Sequence, residues 1–582
     1  MKIQFPVKFL APFERSQSFW LIPLITLGLA SIVLRFVNLQ SPLIEPHPWR
    51  QTQTALTTYS LFHKQVNFWF YESPFQGKLW SFVFEFPIYQ GLTAFVMKTG
   101  LSLEAASRLV SIGFFCLSDV FLFLIVSQVF SLPAAFWSAF FYLISPFNII
   151  FSRTALIDNS VQCFMLASLF FFLRWVQKSS LSSWFLFTIS GALAAITKIT
   201  IWFAPWAILC LYSLLTCYRS RILNRQMLFL GLGLGIQLLS YSCWSHWTDF
   251  HRSQSGFDAT RSWIIGEGSA RLELWRWLKI SKWILRNILA DWMVIPFLLG
   301  LWALKNHPKI LASLCFIIFV PLILFFNVYT YHDYYLMAQV PYLIAIAGIG
   351  MASLARGSLN LKRIAFISMV FVIMNHLRIL PVYLEPMFQK NTNSLLLENS
   401  LKSISSPDEL LFVRTTENPW KVPLYSERLV ATAFSEQWVR SGELNPSVFY
   451  FPSGSEDFSL LDSYKTVGVV PSQDYYFFRV KDSSVFPFDL TQMILLTDTV
   501  PENARILPVP QSLPATLTTC NVEQSKHPLF FEFSKSFRDQ HKEFRLWHQT
   551  HSFVLPVRRF FALPNFQRQC QFEVFLRKGS SG

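Results

Sequence analysis

Eleven apolar runs, most of them close to the length that crosses a bilayer, limit this chain more than any other feature. They cover residues 19–39, 109–130, 134–151, 161–175, 184–196, 201–218, 227–247, 283–304, 310–328, 335–354 and 364–382. A membrane-spanning helix needs roughly 20 mostly apolar residues, and a soluble core has no use for so many in succession. Composition agrees: 52% of residues are hydrophobic and only 14% charged, so the first two thirds of the chain exclude a soluble globule. The formal charge of +15 could suggest a nucleic-acid partner. Its Lys and Arg residues instead sit in short clusters between apolar runs, with no basic stripe interleaved with aromatics, so nucleic acid is set aside.

Those clusters orient the spans. Lys2, Lys8 and Arg15 precede the first run, and Arg174 with Lys178, Arg219 with Arg221 and Arg225, Lys305 with Lys309, and Arg356 with Lys362 and Arg363 fall between later ones. Basic loops stay cytoplasmic. All of them land inside only if residues 86–97, a run too short to span, do not cross. The expected architecture is therefore mainly α. It has a polytopic transmembrane domain over residues 1–384, with about eleven spans and in-plane helices in a first external loop at 40–107. An external soluble α/β domain over 385–582 follows. The turn at 131–133 should lie inside yet carries no basic residue.

The polar stretch after the first run, residues 43–55, concentrates Glu45, His47, Trp49 and Arg50 around Pro46 and Pro48. Alternate prolines predict extended, stiff backbone that halts the preceding helix, with a short helix at the membrane face from Thr52. Four more polar sites fall on the same outer side. They are Glu85 with Phe86 and Pro87, Arg153 with Asp158, Lys198, and His332 with Asp333, Tyr334 and Tyr335. Ionisable groups at membrane depth usually pair or line a cavity. Each also has a plainer account. Trp49 and Arg50 could anchor at headgroups, Lys198 could snorkel, Arg153 could simply pair with Asp158, and the tyrosines could be belt residues. Five sites on one side favour a single external chamber.

In order and spacing, the W-R-Q-T-Q-T-A segment, E-F-P before a short helix, S-R-L-V at 107–110, S-P-F followed by Asp158, and H-D-Y-Y at 332–335 resemble the bacterial C-type glycosyltransferases. These are relatives of the protein O-mannosyltransferases and of the lipid A aminoarabinose transferase. The likeness covers roughly residues 19–380. It implies a multispanning enzyme with a polyprenyl-phosphate sugar as donor, an active site at the outer membrane face, and inversion at the anomeric carbon. The sequence departs from the pattern in two places. Relatives carry an Asp near the position of Glu45 or His47, and the aminoarabinose transferase type has a phosphate-contacting Lys where Phe86 stands.

Such transfer needs a base for the acceptor hydroxyl and cations for the departing phosphate. Glu45 is the first candidate base and His47 its rival. Glu85 would orient the acceptor or hold an ion, and Asp158 joins the catalytic set. Arg50, Trp49, Arg153, Lys198, His332, Asp333 and Tyr335 are the candidate substrate contacts. His47, Glu85, His332 and Asp333 leave a divalent metal open, with a metal-free site as the default. The expected partners are a polyprenyl-phosphate-linked sugar, membrane lipids, and an acceptor that is a protein, a lipid or a glycan. The favoured location is a bacterial inner membrane with the C-terminal domain extracytoplasmic. A lipid-linked sugar transporter and a non-catalytic membrane binding protein are the alternatives.

Overall fold

The computed structural model describes residues 21–63, 68–71, 84–220, 225–255, 260–356, 358–388, 395–414, 418, 420–452, 460, 466–471, 475–480, 516–520 and 572–576. They divide into two units, with the main boundary at residue 390.

The first unit is helical, and its helices follow the apolar runs. Leu103–Val129, Asp158–Lys178 and Arg225–His251 are by length and composition able to cross a membrane, and eight shorter apolar helices accompany them. The chain is a multi-pass membrane protein. Local chemistry sets several boundaries. Ser102, Ser131 and Ser180 accept hydrogen bonds from the backbone amides of Ala105, Ala134 and Ser183, capping the helices that follow. In the 131–133 turn, where no basic residue marks a side, Ser131 and a proline in the first helical turn suffice to start Leu132–Ile144. Ile88–Met97 is ten residues, about 15 Å of helix, too short to cross.

The tightest packing lies between Val294–Leu304 and Val340–Arg356. A Cβ on Gly350 would sit 2.0 Å from the carbonyl oxygen of Pro296, and one on Gly300 would sit 1.9 Å from that of Ile346. Glycines here let two backbones touch, the usual device where lipid supplies no hydrophobic drive between helices.

Two expected runs are broken. Residues 283–304 divide into Leu274–Trp283, a π-turn at Ile284–Ile288, a left-handed kink at Ala290 and Asp291, and Val294–Leu304. The 310–328 run divides at Phe325, and the 335–354 run opens on a 3-10 segment, Asp333–Ala338, ahead of Val340–Arg356. Both breaks lie beside the candidate site.

The second unit holds a five-stranded sheet in the order β2-β1-β3-β5-β4, where β1 is Leu410–Val413, β2 Leu429–Thr432, β3 Val448–Pro452, β4 Thr466–Pro471 and β5 Tyr475–Val480. β1 pairs in parallel with β2 and β3, and β5 runs antiparallel to β3 and β4. Phe412, Ala431, Phe449 and Phe451 form its core. Strands expected at 529–534 and 544–548 lie outside the described residues.

Candidate active site

The first external loop does not take the conformation its prolines suggest. His47 is left-handed (φ 59) instead of extended, and the helix begins at Pro48, earlier than Thr52. Proline is well suited to the first helical position because its missing N–H would be unbonded there anyway. The His47 carbonyl accepts the first helical bond, from the Gln51 amide at 3.2 Å. Trp49 and Arg50 therefore stand on the first turn of Pro48–His63. That helix is embedded in protein, burying Gln51, Thr52, Thr54 and Thr58 along with Ala55 and Leu56. Gln51 joins it to the 152–158 segment by accepting from the Ala155 amide at 2.9 Å.

His47 Nε2 lies 2.7 Å from Asp333 Oδ1. Left-handed backbone in a residue with a side chain costs on the order of 1–3 kcal/mol and persists where surrounding contacts hold it, often at functional sites. The strain at His47 is balanced by this hydrogen bond and by ring contacts to Tyr334, at 4.7 Å between centroids, and His332, at 5.6 Å. Burial first, then the charges of His47 and Lys198, holds the His332 imidazolium down to about 4. His332 is thus neutral at physiological pH, and any phosphate it met would receive a neutral N–H.

Glu45 is buried, only 7% exposed. Its Oε1 lies 3.2 Å from Arg108 Nη2 and 3.5 Å from Arg153 Nη2, at ion-pair distance from both but aligned with neither for a hydrogen bond. Arg108 also donates to the carbonyls of Leu39, Ser41 and Pro42, and Arg153 to that of Asn38. Burial pulls Arg153 down to about 10 against the attraction of Glu45. The expected pairing of Arg153 with Asp158 is replaced by these contacts. Asp158 instead meets Lys198 Nζ at 2.6 Å. Lys198 does not snorkel: its ammonium lies 3.9 Å from the Tyr335 ring centroid and 4.9 Å from that of Tyr334.

Glu85 is held on both oxygens, by Arg50 Nη2 at 2.9 Å and by Gln90 Nε2 at 2.9 Å. The Tyr71 hydroxyl fixes its turn, donating to the Glu85 carbonyl and accepting from the Phe84 amide, both at 3.0 Å. Burial opposes the charge of Arg50, but Glu85 outweighs it and raises the guanidinium above its usual range. The Phe86 amide bonds the Ile196 carbonyl at 3.2 Å, docking the E-F-P turn beside the segment that carries Lys198. The Phe86 ring packs against Trp244 and Trp69.

Three groups result. His47, Asp158, Lys198, His332, Asp333 and Tyr335 are linked through direct contacts or the Tyr334 ring, Arg50 pairs with Glu85, and Glu45 and Arg153 form a buried pair group with Arg108. Trp49 is exposed on its helix. Among the described residues no three His, Cys, Asp or Glu side chains are arranged to hold a metal. Glu85 is bonded to Arg50 and Gln90. Sequence reasoning assigned no role to Arg108, Gln90, Tyr71 or Asn287. Arg108 had a signal, its place in the S-R-L-V segment immediately ahead of the 109–130 run.

The architecture defines a class, a multi-pass helical membrane protein. Residues 87–247 match the model of the dolichyl-phosphate-mannose-protein mannosyltransferase family. That segment carries Arg108, Arg153, Asp158 and Lys198. Among solved structures, ArnT from Cupriavidus metallidurans is similar in its apo state, with a TM-score of 0.54 at 12% identity over 81% of this chain and 100% of that one. Its complex with undecaprenyl phosphate is similar with a TM-score of 0.55 at 13% identity and the same coverage. An oligosaccharyltransferase from Archaeoglobus fulgidus, in complex with Zn and sulfate, gives 0.50 at 12% identity over 78% of this chain and 73% of that one. No curated protein matches the chain.

Proposed function

We propose that this protein is a membrane glycosyltransferase that moves a sugar from a polyprenyl-phosphate donor to an acceptor hydroxyl at the extracytoplasmic face of a bacterial inner membrane. The observation that carries the reading is the His47–Asp333 pair at 2.7 Å, whose imidazole packs on the same Tyr334 ring as the Lys198 ammonium. A base and a cation in one cluster are what displacement at a sugar phosphate requires. The lipid donor is supported by the undecaprenyl phosphate bound in the ArnT relative.

In this mechanism His47 Nε2–H donates to Asp333, which leaves Nδ1 with the lone pair. Nδ1 takes the acceptor proton as the hydroxyl oxygen bonds to the anomeric carbon from the face opposite the phosphate. The carbon–phosphate oxygen bond breaks, its electron pair leaves with the polyprenyl phosphate, and the configuration inverts. Asp333 stabilises the imidazolium as it forms. Lys198 and Arg50 meet the phosphate charge, His332 adds a neutral donor, and Glu85 with Arg50 orients the acceptor. Glu45 serves as the buried counter-ion of Arg108 and Arg153, which makes His47 the stronger base candidate. The unit after residue 390 docks the acceptor.

The test is polyprenyl-phosphate release from a panel of polyprenyl-phosphate monosaccharides by the reconstituted full-length protein. His47→Ala and Asp333→Asn should each slow release by about 10²–10⁴-fold. Movement of the lipid-linked sugar across the vesicle without release, or wild-type rates in His47→Ala, would overturn the reading.

A further inference from the structure

We propose that Asn287 is a positioning residue for the His47–Asp333 pair, and that the broken helix around it is built to aim its amide at Asp333. The proposal rests on the reading of His47 as base given above.

Between Trp283 and Val294 the chain leaves the α-helix without a glycine or proline to prompt it. The π-turn closes with the Leu289 amide on the Ile284 carbonyl at 2.9 Å, and Ala290 and Asp291 then take φ values of 46 and 57. Left-handed backbone in residues with a Cβ is strained, so the surroundings must over-determine it. They do so from three directions. Asn375 donates its amide to the Ala290 carbonyl. Ser145 Oγ donates to the Ile288 carbonyl at 3.3 Å. Arg378 reaches Asp291 Oδ2 at 3.9 Å while holding Asn375 Oδ1 at 2.8 Å. A break fastened in this way is a fixed shape.

Its product is one contact. Asn287 lies inside the π-turn and donates Nδ2–H to Asp333 Oδ2 at 3.3 Å, while Oδ1 of the same carboxylate is engaged by His47 Nε2 at 2.7 Å. Each residue of a regular helix turns the side chain by about 100°, so one inserted residue is enough to redirect a side chain across the helix. π-turns of this kind recur at functional sites. With both oxygens occupied by partners from different segments, the carboxylate plane cannot rotate and Oδ1 stays on Nε2. The other groups around the pair are His332, Tyr334, Tyr335, Lys198, Arg50 and Lys279. Among the described residues, Asn287 is the hydrogen-bond partner of Asp333 Oδ2.

The test compares Asn287→Ala, Asn287→Asp and Asn287→Gln in reconstituted full-length protein, using the polyprenyl-phosphate monosaccharide that the wild type consumes. Asn287→Ala should lower kcat about 10- to 100-fold with KM within twofold, since a misaimed base slows chemistry and leaves binding intact. Asn287→Asp adds a second carboxylate and should move the acid limb of kcat/KM upward by about half to one pH unit. Asn287→Gln should recover part of kcat. A purely structural Asn287 would lower the yield or melting temperature and leave kcat of the folded fraction and the acid limb in place, which would overturn the proposal. Should the Asn287 variants fail to fold, Asn375→Ala loosens the break from outside the site. Reduced kcat with normal KM is then expected, and unchanged kcat overturns the proposal. Loss of transfer in His47→Ala beside wild-type Asn287→Ala sinks this inference alone, whereas full activity in His47→Ala sinks the base reading itself.

Discussion

Glu45→Gln separates a scaffold carboxylate from a catalytic one. The substitution keeps the shape and removes the charge that two buried guanidinium groups share. The side chains of Arg108 and Arg153 are both 0% exposed and that of Glu45 is 5% exposed, so solvent screens little of what is lost. Removing one partner of a buried ion pair typically costs 3–5 kcal/mol, because the remaining charge is left without compensation. Arg108 keeps three carbonyl acceptors, which moderates its share, while Arg153 has Nε and Nη1 without hydrogen-bond partners and a single carbonyl contact. The expected loss is therefore about 3–4 kcal/mol, visible as a drop of several degrees in the apparent melting temperature in detergent and as a lower yield. The variant Glu45→Gln with Arg153→Gln removes charge from both sides and should regain part of that loss, giving a coupling of about 1–3 kcal/mol in the double-mutant cycle. His47→Ala should melt within a few degrees of wild type and lose transfer. A Glu45→Gln protein as stable as wild type but without transfer would refute the assignment and return Glu45 to the role of base.

The remaining expectations follow from single contacts. The His332 pKa of about 4 lies below the ordinary 6.5, so between those values the unfolded chain binds more protons and stability rises with pH. Acidification from 6.5 to 4 should cost up to about 3 kcal/mol, and His332→Gln should flatten that dependence in a melting series. Gly350→Ala pushes a methyl onto the Pro296 carbonyl and should destabilise by about 1–3 kcal/mol or more, because backbone cannot move aside. Gly113→Ala, which meets nothing within 4 Å, should hold or gain about 1 kcal/mol through helix propensity. Equal melting temperatures for the two glycine variants would contradict the close backbone approach.

Hydropathy marks the apolar runs that become helices, because burial in lipid acts on every residue of a run. Where a single contact decides the conformation, the pattern is silent. The 283–304 run reads as continuous because Ile284, Leu285, Ile288 and Leu289 are as apolar inside a π-turn as inside an α-helix. Its cause, Asn375 on the Ala290 carbonyl, lies 85 residues away. His47 was misread for a related reason. Flanking prolines favour extended backbone, and that preference yields to a hydrogen bond with Asp333, 286 residues further on. The polar positions stand out in the sequence as residue types, yet the partners of Glu45, Arg153 and Asp158 were not legible, since pairing depends on which helices adjoin.

The pairing also fixes how the site can receive an anion. Arg50 faces Glu85, Lys198 faces Asp158, and Arg108 and Arg153 share Glu45. Each of these cations already faces a carboxylate, so in the proposed transfer a donor phosphate would have to draw a cation from its present partner. Of the four, Arg108 and Arg153 are fully buried and Arg50 is tied to both Glu85 and Gln53. Lys198 has one carboxylate partner, a compact ammonium on a flexible stem, and two aromatic faces across which it can shift at little cost. In the proposed transfer, exchange at Lys198 is thus the least costly entry for a phosphate, and it would release Asp158 as the donor binds.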